Sequence, residues 1–360
     1  MTGPRVVTAW IACALVLSSC SGSVAGTTPQ KAGPATPPAS KSAQGQDQPL
    51  SPDMQSALLL MQFGRFQEAA EAFKKALQHD KPTAMAYLGL AQSYERFGAF
   101  DDALQACDRA IDLAAPGREK ANARNAKGLA LYTRASQKQP PNADDLAAAE
   151  REFRAALELD PTYAIARFNL GVALIKAGND PVGVGALREY LASGAKGEPA
   201  AEAAKFIENP RRVREQFAPE VTFVTLAGRR FDLASLKGRV VVLDFWASWC
   251  GPCHDTIPFL RVLEQRYADQ RVTLISVSVD TDRAAWQSAV KQEKMTWTQV
   301  MDGDGRISNE FRVRPIPTAV VIDGEGIIRK WILGFSDSYG ATLDASVRDA
   351  LKRLAAPPAR

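Results

Sequence analysis

The chain has 360 residues, more than an ordinary single domain, so we expect about two to three domains. Its composition is 46% hydrophobic, with 44 basic and 40 acidic residues, which is typical of a globular protein. A net charge of +4 on this length gives no reason to expect a nucleic-acid partner.

Residues 1–19 have the pattern of a bacterial lipoprotein signal peptide. Arg5 precedes an apolar run, Val6–Leu17, which is shorter than the roughly 20 residues that a transmembrane helix needs. Small residues then lead to Cys20 and resemble a lipobox, which implies cleavage after Ser19 and acylation of Cys20. An ordinary signal peptide cut nearby and an uncleaved anchor are the alternatives. We predict an extracytoplasmic, lipid-anchored protein, on the periplasmic side in a Gram-negative cell.

Residues 20–49 predict a flexible tether. They are rich in Ser, Thr, Pro, Gly, Ala, Gln and Lys and nearly lack bulky apolar side chains. Such a composition buries too little surface to order itself. Random-coil scaling of about 5–6 Å times the square root of length limits its reach to several nanometres.

Residues 50–210 contain a repeat with a period of about 34 residues, the length of a tetratricopeptide helix pair. The first two copies match at Gly64, Ala69, Phe73 and Ala76 in one and Gly98, Ala103, Cys107 and Ala110 in the other. The third copy has about nine extra residues, which we assign to its turn. The pattern resembles about four tetratricopeptide repeats with a capping helix near Pro199–Glu208, an all-α solenoid.

A stacked solenoid presents an extended concave face, so we predict a docking surface for a protein or peptide partner. The alternative is a spacer between the membrane and the next domain. Cys107 is predicted to be a buried small hydrophobe rather than a reactive thiol. We also assign six aromatic residues to core packing: Phe63, Tyr87, Tyr94, Phe97, Tyr163 and Phe168.

Residues 218–355 predict an α/β domain, a mixed sheet with helices on both faces. The expected elements are a hairpin from Val221–Thr225 to Phe231, a central strand Arg239–Trp246, a helix Pro252–Ala268, a strand Arg271–Val279, a helix Asp282–Glu293, a hairpin of Thr318–Ile322 and Ile327–Leu333, and a helix Thr342–Leu354. The fold class is therefore multidomain, a helical solenoid followed by an α/β domain.

The sequence from Trp249 to Cys253, Trp-Cys-Gly-Pro-Cys, lies where the central strand gives way to a helix. The free N–H groups and the positive end of the helix dipole stabilise a thiolate on the first cysteine. The second cysteine is one helical turn away and can close a disulfide with it.

Together with Asp244, Pro258 and Ile316-Pro317-Thr318, this segment resembles the TlpA/ResA-like, membrane-associated thiol–disulfide oxidoreductases of the thioredoxin superfamily. The resemblance covers about Ala218–Leu354. It implies a reductant of disulfides in exported proteins, supplied with electrons by a membrane thiol carrier. The haem-site cysteines of apocytochrome c are one candidate substrate.

The resemblance also implies roles for individual residues. Cys250, exposed at the helix start, attacks the substrate disulfide, and the more buried Cys253 resolves the mixed disulfide. Asp244, with a pKa raised by burial, accepts the Cys253 proton, although a purely structural Asp244 is the alternative.

Further residues are predicted to contact the substrate. Pro317 resembles the cis-proline of the family and exposes the Ile316 backbone for strand-like pairing, while Trp249 offers an apolar surface beside the thiolate. His254 either titrates near neutral pH and tunes the cysteines or is an exposed residue without effect.

A single Cys-x-x-Cys pair falls short of the about four ligands that zinc takes, so we expect neither a metal nor another cofactor. The run Asp302–Gly305 is predicted to be a turn before a helix rather than a calcium loop.

Two other functions stay open. A thioredoxin-fold peroxidase of the AhpC/TSA type has a Pro and a Thr or Ser where this chain has Leu243 and Ala247. An assembly scaffold would depend on the repeats alone, with incidental thiols.

Overall fold

The computed structural model describes residues 50–355; the predicted signal peptide, tether and Cys20 lie outside this range. The chain forms two compact units, the first ending at Arg214 and the second beginning at Glu215. This border falls between the two predicted folded domains, residues 50–210 and 218–355. The exact bounds of these two domains remain predictions. Within residues 50–355, no helix has the length and apolar character needed to cross a bilayer.

The described part of the first unit is built from consecutive helix pairs, as the repeat predicts. The pairs are α1 (Pro52–Gln62) and α2 (Phe66–His79), α3 (Ala84–Phe97) and α4 (Phe100–Leu113), α5 (Arg118–Ser136) and α6 (Ala143–Leu159), and α7 (Ala164–Lys176) and α8 (Asp180–Ala192). The next helix, α9 (Glu198–Glu208), lies at the position predicted for the capping helix, and a short helix, α10 (Arg211–Arg214), follows it. The prediction of four helix pairs and a capping helix is confirmed.

Small and large residues on facing helices allow their close approach. A Cβ added to Gly128 in α5 would lie 2.6 Å from Cε1 of Phe153 in α6. In the next pair, a Cβ on Gly171 would lie 2.8 Å from Cγ of Leu187. The glycine positions of the repeat therefore leave room for large side chains of the partner helix.

Two predictions for the repeat unit are wrong in part. Phe63 and Phe97 do not lie in the core, because Phe63 follows the last turn of α1 and Phe97 ends α3; their side chains are 73% and 40% exposed. The extra residues of the third copy do not go into the turn alone, which is residues 137–142. They also lengthen α5 and α6 to 19 and 17 residues.

The second unit contains a small hairpin and a five-stranded mixed sheet. The hairpin pairs β1 (Thr222–Val224) with β2 (Arg230–Asp232), followed by a 3₁₀ turn, Leu233–Leu236. The sheet has the order β5-β4-β3-β6-β7, with β3 (Val240–Trp246), β4 (Val272–Ser278), β5 (Thr298–Met301), β6 (Thr318–Ile322) and β7 (Ile328–Leu333). β4 lies parallel to β3 and β5, whereas β6 is antiparallel to β3 and β7.

The helices of this unit are α11 (Gly251–Arg266), α12 (Arg283–Gln292), α13 (Arg306–Glu310) and α14 (Tyr339–Ala355). Every element predicted for residues 218–355 is present within a few residues of its expected bounds. The sequence does not predict β5, a four-residue strand at the sheet edge. α13 begins directly after Gly305, which confirms the predicted turn before a helix.

The central strand β3 is buried along its whole length, with apolar clusters on both faces. Val242 and Trp246 belong to the cluster that includes residues of α11, α12 and α14, whereas Leu243 and Phe245 belong to the one that includes residues of α13. Because side chains alternate along a strand, Asp244 faces the same side as Val242 and Trp246, toward α11.

Candidate active site

The two neighbouring cysteines lie where β3 leads into α11. Cys250 is the N-cap residue of α11, and Pro252 occupies its first turn, where the missing N–H of proline costs no hydrogen bond. The Cys250 N–H donates to the Ala247 carbonyl at 3.1 Å, and the Cys253 N–H donates to the Cys250 carbonyl at 3.0 Å. Both cysteines therefore lie at the positive end of the α11 dipole.

Cys250 and Cys253 are joined by a disulfide, with their Cα atoms 5.3 Å apart. Cys253 is fully buried, and Cys250 keeps 6% of its surface accessible. The expectation of an exposed Cys250 is wrong for this oxidised form, because the bond ties its sulfur to a buried partner. Cys250 is nevertheless the more accessible of the two.

Asp244 is a fully buried carboxyl on the face of β3 that turns toward α11. Its Oδ2 accepts a hydrogen bond from Ser276 Oγ at 2.8 Å, and its Oδ1 has no partner within the described part of the chain. Burial raises the pKa of Asp244 to about 7, and the Ser276 hydrogen bond opposes this increase. A group with this pKa can exchange protons near neutral pH.

The Ile316–Pro317 peptide bond is cis, as predicted. In the antiparallel register Thr318 pairs with Phe245, so Pro317 comes level with Trp246, where β3 gives way to the cysteine loop. Ile316 packs against the apolar cluster that contains both cysteines. Its backbone forms no hydrogen bond to another residue of the range 50–355. The main chain of Ile316 is thus available for pairing with another polypeptide.

Trp249, directly before Cys250, is 70% exposed. A large apolar ring this exposed can contact another protein without rearrangement of the fold. Its position in the chain makes it a neighbour of any polypeptide that approaches Cys250.

Two residues that sequence reasoning missed, Asp280 and Glu293, act together with His254 to hold the segment before Cys250. Asp280, nearly buried just after β4, accepts hydrogen bonds from the Ser248 N–H at 2.9 Å and the Ser248 hydroxyl at 2.7 Å. The Ser248 carbonyl lies 2.9 Å from Nε2 of His254, whose Nδ1 lies 2.9 Å from Oε1 of Glu293. The sequence could have indicated Asp280. The strands β3 and β4 are parallel, so the residues that follow them, Ser248 and Asp280, come together at one edge of the sheet.

His254 is half-buried and has a partner at each ring nitrogen, so it is not a free exposed residue. The hydrogen bond with the Ser248 carbonyl raises the pKa of His254 above its ordinary value, and the Glu293 carboxylate adds to the effect against the opposing influence of partial burial.

Other candidate residues lie apart from this site. Cys107 is buried in the repeat unit, as predicted, and burial raises the pKa of its thiol. Asp302 accepts hydrogen bonds from the Ile307 and Ser308 N–H groups at 2.8 and 2.7 Å, at the start of α13. Among residues 50–355, no group of three or more His, Cys, Asp or Glu is arranged to hold a metal ion.

A thioredoxin-like mixed sheet, with a Cys-x-x-Cys disulfide at the start of the helix that follows its central strand, defines a thiol–disulfide oxidoreductase. In this chain the redox fold is preceded by tetratricopeptide repeats.

Comparison with known proteins agrees with this class. The redoxin family matches residues 213–350, and the tetratricopeptide-repeat family matches residues 54–118 and 142–198. The thiol-disulfide oxidoreductase ResA of Bacillus cereus is 32% identical over 117 residues, which are 32% of this chain and 68% of the relative. ResA of Geobacillus thermodenitrificans is 31% identical over 117 residues, 32% of this chain and 67% of the relative.

A crystal structure of a thiol:disulfide interchange protein of the thioredoxin family from Chlorobium tepidum is 28% identical; the match covers 38% of this chain and 97% of that chain, with a TM-score of 0.35. On the similarity to the ResA proteins, the chain belongs to the ResA-like thiol–disulfide oxidoreductases.

Proposed function

We propose that this protein is a membrane-anchored, extracytoplasmic reductant of protein disulfides that works through Cys250 and Cys253. One observation carries the proposal: a disulfide at a helix N-terminus joins a partly accessible cysteine to a buried one, on the face of the sheet that also bears the buried Asp244. This asymmetry suits a two-step exchange, in which one sulfur meets the substrate and the other stays inside.

In the proposed reaction the reduced dithiol form meets a substrate disulfide. The Cys250 thiolate attacks one substrate sulfur, a mixed disulfide forms, and the other substrate sulfur leaves as a thiolate that takes up a proton. Cys253 then loses its proton and attacks the Cys250 sulfur. The Cys250–Cys253 bond forms, the second substrate thiol is released, and two electrons have passed to the substrate.

Asp244 is proposed to accept the Cys253 proton, directly or through water. Its raised pKa supports this role, because the carboxylate is available above about pH 7 and is still a competent base there. The free Oδ1 has no other partner within residues 50–355 that would occupy it.

The substrate segment is proposed to pair with the backbone of Ile316, next to Pro317, and to pack on Trp249. The support is the unused main-chain hydrogen-bonding capacity of Ile316 and the exposure of the Trp249 ring. The repeat unit is proposed to dock a protein or peptide partner, since stacked helix pairs offer an extended surface.

The amino-terminal sequence supports the proposed cellular setting. Acylation of Cys20 would hold the redox unit near a membrane outside the cytoplasm, and a membrane thiol carrier would return two electrons to the Cys250–Cys253 disulfide after each cycle. Cytochrome c maturation is one process that would need such a reductant.

The direct test is a redox titration of the intact protein against dithiothreitol and glutathione. We expect one reversible two-electron transition that is unchanged in Cys107→Ser and lost in Cys250→Ser. A potential near about −270 mV, as for thioredoxin, supports a reductant, and one well above about −150 mV indicates disulfide formation instead. Absence of any reversible transition overturns the proposal. If cells that express Cys250→Ser behave like cells that express the unsubstituted protein, the thiols are incidental. The protein then acts through its repeats, as an assembly scaffold.

A further inference from the structure

His254, the residue directly after Cys253, has a hydrogen-bond acceptor at each ring nitrogen. Nε2 lies 2.9 Å from the Ser248 carbonyl oxygen, and Nδ1 lies 2.9 Å from Oε1 of Glu293. A neutral imidazole carries one N–H and can donate to only one of these acceptors, whereas an imidazolium donates to both. The surroundings of His254 therefore fit the charged ring.

The Ser248 carbonyl belongs to the segment that leads from β3 to Cys250. Asp280 fixes the other side of Ser248 by accepting hydrogen bonds from its N–H and its hydroxyl. Ser248 is thus held at three atoms, two residues before Cys250. The hydrogen bond from His254 connects this segment to the first turns of α11.

Glu293, the second partner of His254, is the C-cap residue of α12. Its backbone carbonyl accepts a hydrogen bond from Arg261 Nη2 at 2.5 Å, so Glu293 is itself bound to α11. His254 consequently links the cysteine segment, α11 and the end of α12.

We propose that His254, as an imidazolium held between Ser248 and Glu293, positions the segment that carries Cys250 and stabilises the negative charge that Cys250 acquires when the disulfide opens. This inference rests on the proposed function of the Cys250–Cys253 pair. It makes His254 a positioning residue and gives it an electrostatic effect on the redox equilibrium.

The direction of the effect follows from the charges. Reduction of the disulfide takes up two electrons and one proton and gives a Cys250 thiolate and a Cys253 thiol. The disulfide is neutral, so a cation in the first turns of α11 stabilises the reduced form selectively, lowers the pKa of the Cys250 thiol and raises the reduction potential. By linkage, reduction must raise the pKa of His254.

Other charged groups lie near His254, and any pH study must distinguish their effects from the protonation of His254. Asp255 follows it on α11, Glu293 faces it from the end of α12, and Asp280 holds Ser248 beyond β4. Asp244 on β3 faces α11 and has a pKa of about 7, so the pH titration of His254 is carried out in Asp244→Asn as well.

The first test measures the potential of the intact protein by equilibration with glutathione at pH 6. We expect His254→Gln, which can still donate to the Ser248 carbonyl but carries no charge, to shift the equilibrium about tenfold toward the disulfide, a change of about 30 mV. His254→Lys restores the charge and should recover most of the shift. The matched control is His79→Gln, because His79 also pairs with a carboxylate, Asp53, but lies in the repeat unit.

The second test leaves His254 unchanged. The chain has two histidines, so in His79→Gln a single histidine NMR signal remains to be titrated in the oxidised and reduced protein. A higher pKa of His254 in the reduced protein supports the proposal. Equal values in the two states, or a His254→Gln potential equal to that of the unsubstituted protein, overturn it. If either of these two results is found while the unsubstituted protein shows a reversible redox transition, only the role of His254 is rejected and the proposed function stands. If the unsubstituted protein shows no reversible transition, both the proposed function and the role of His254 are rejected.

Discussion

The Ser276 hydroxyl donates a 2.8 Å hydrogen bond to Oδ2 of Asp244 and in turn accepts one of 2.9 Å from Nε1 of Trp297. Ser276 stands opposite Asp244 on the neighbouring strand β4. This single bond stabilises the Asp244 carboxylate, but it does not offset the loss of hydration, and the pKa rises to about 7. The balance between these two effects sets the pH at which Asp244 can act as a base.

Asp244→Asn should slow the resolving step, because the Cys253 proton loses its acceptor. General-base catalysis contributes about 10²–10⁴-fold, so we expect a decrease of about 10²-fold or more at pH 8. The unsubstituted protein should lose rate as the pH falls below about 7, whereas Asp244→Asn should be flat there. Stopped-flow measurement of mixed-disulfide decay checks this. Asp255→Asn, an exposed acid on α11, is the control, and an equal decrease in both variants would contradict the assignment.

Asp244 should also make the stability of the redox unit depend on pH. Its folded pKa of about 7 exceeds the ordinary value of 3.8, so the folded state holds a proton that the unfolded state releases. Stability is therefore highest below about pH 4 for this group and falls as the pH rises to about 7, by on the order of 4 kcal/mol. Asp244→Asn should remove this slope.

Urea unfolding of the oxidised protein between pH 4 and 8, followed by tryptophan fluorescence, measures this slope. Five of the six tryptophans lie in the second unit, so the signal reports on that unit. An unchanged slope in Asp244→Asn would show that another group causes it.

Gly128→Ala should destabilise the repeat unit, because the new methyl group would come within 2.6–3.0 Å of three atoms of the Phe153 ring. Overpacking of this kind costs about 1–3 kcal/mol. Gly185→Ala is the matched control: a Cβ at Gly185 in α8 meets no atom within 4 Å, and the change should stabilise the helix by about 0.5–1 kcal/mol. Thermal unfolding followed by circular dichroism at 222 nm should shift in opposite directions for the two variants.

Cys253→Ser should trap mixed disulfides at Cys250 and show no appreciable turnover of hydrogen peroxide. Without Cys253 the second exchange step has no attacking thiol, so the substrate stays bound to Cys250. Leu243 and Ala247 carry no hydroxyl that could bind a peroxide. A coupled peroxide assay decides between the two functions, and steady peroxide reduction by Cys253→Ser would favour the peroxidase.

Cys20→Ser should release the protein from the membrane fraction, because the proposed lipid anchor needs the Cys20 thiol. Fractionation of cells that express the two forms measures the change, with Cys13→Ser as the control for a cysteine inside the apolar run. Retention of Cys20→Ser in the membrane would mean that the amino-terminal segment itself is an uncleaved anchor.

The sequence by itself determined the location of the cysteine pair and the order of the elements, except for the edge strand β5. The period of the repeat, the apolar run of β3 and the start of α11 at Gly251 are local patterns, set by which side chains face a core and which residues begin a helix. The assignment of Asp244 to the side of the sheet that faces α11 also follows from strand periodicity once β3 is recognised.

The tertiary structure alone decided what surrounds these residues. Asp280 reaches Ser248 across 32 positions in the sequence, and Glu293 reaches His254 across 39. The exposure of Phe63 was likewise decided by where the neighbouring helices end. Such contacts depend on how separate elements pack, and burial and hydrogen bonding between distant residues leave no periodic trace in the chain.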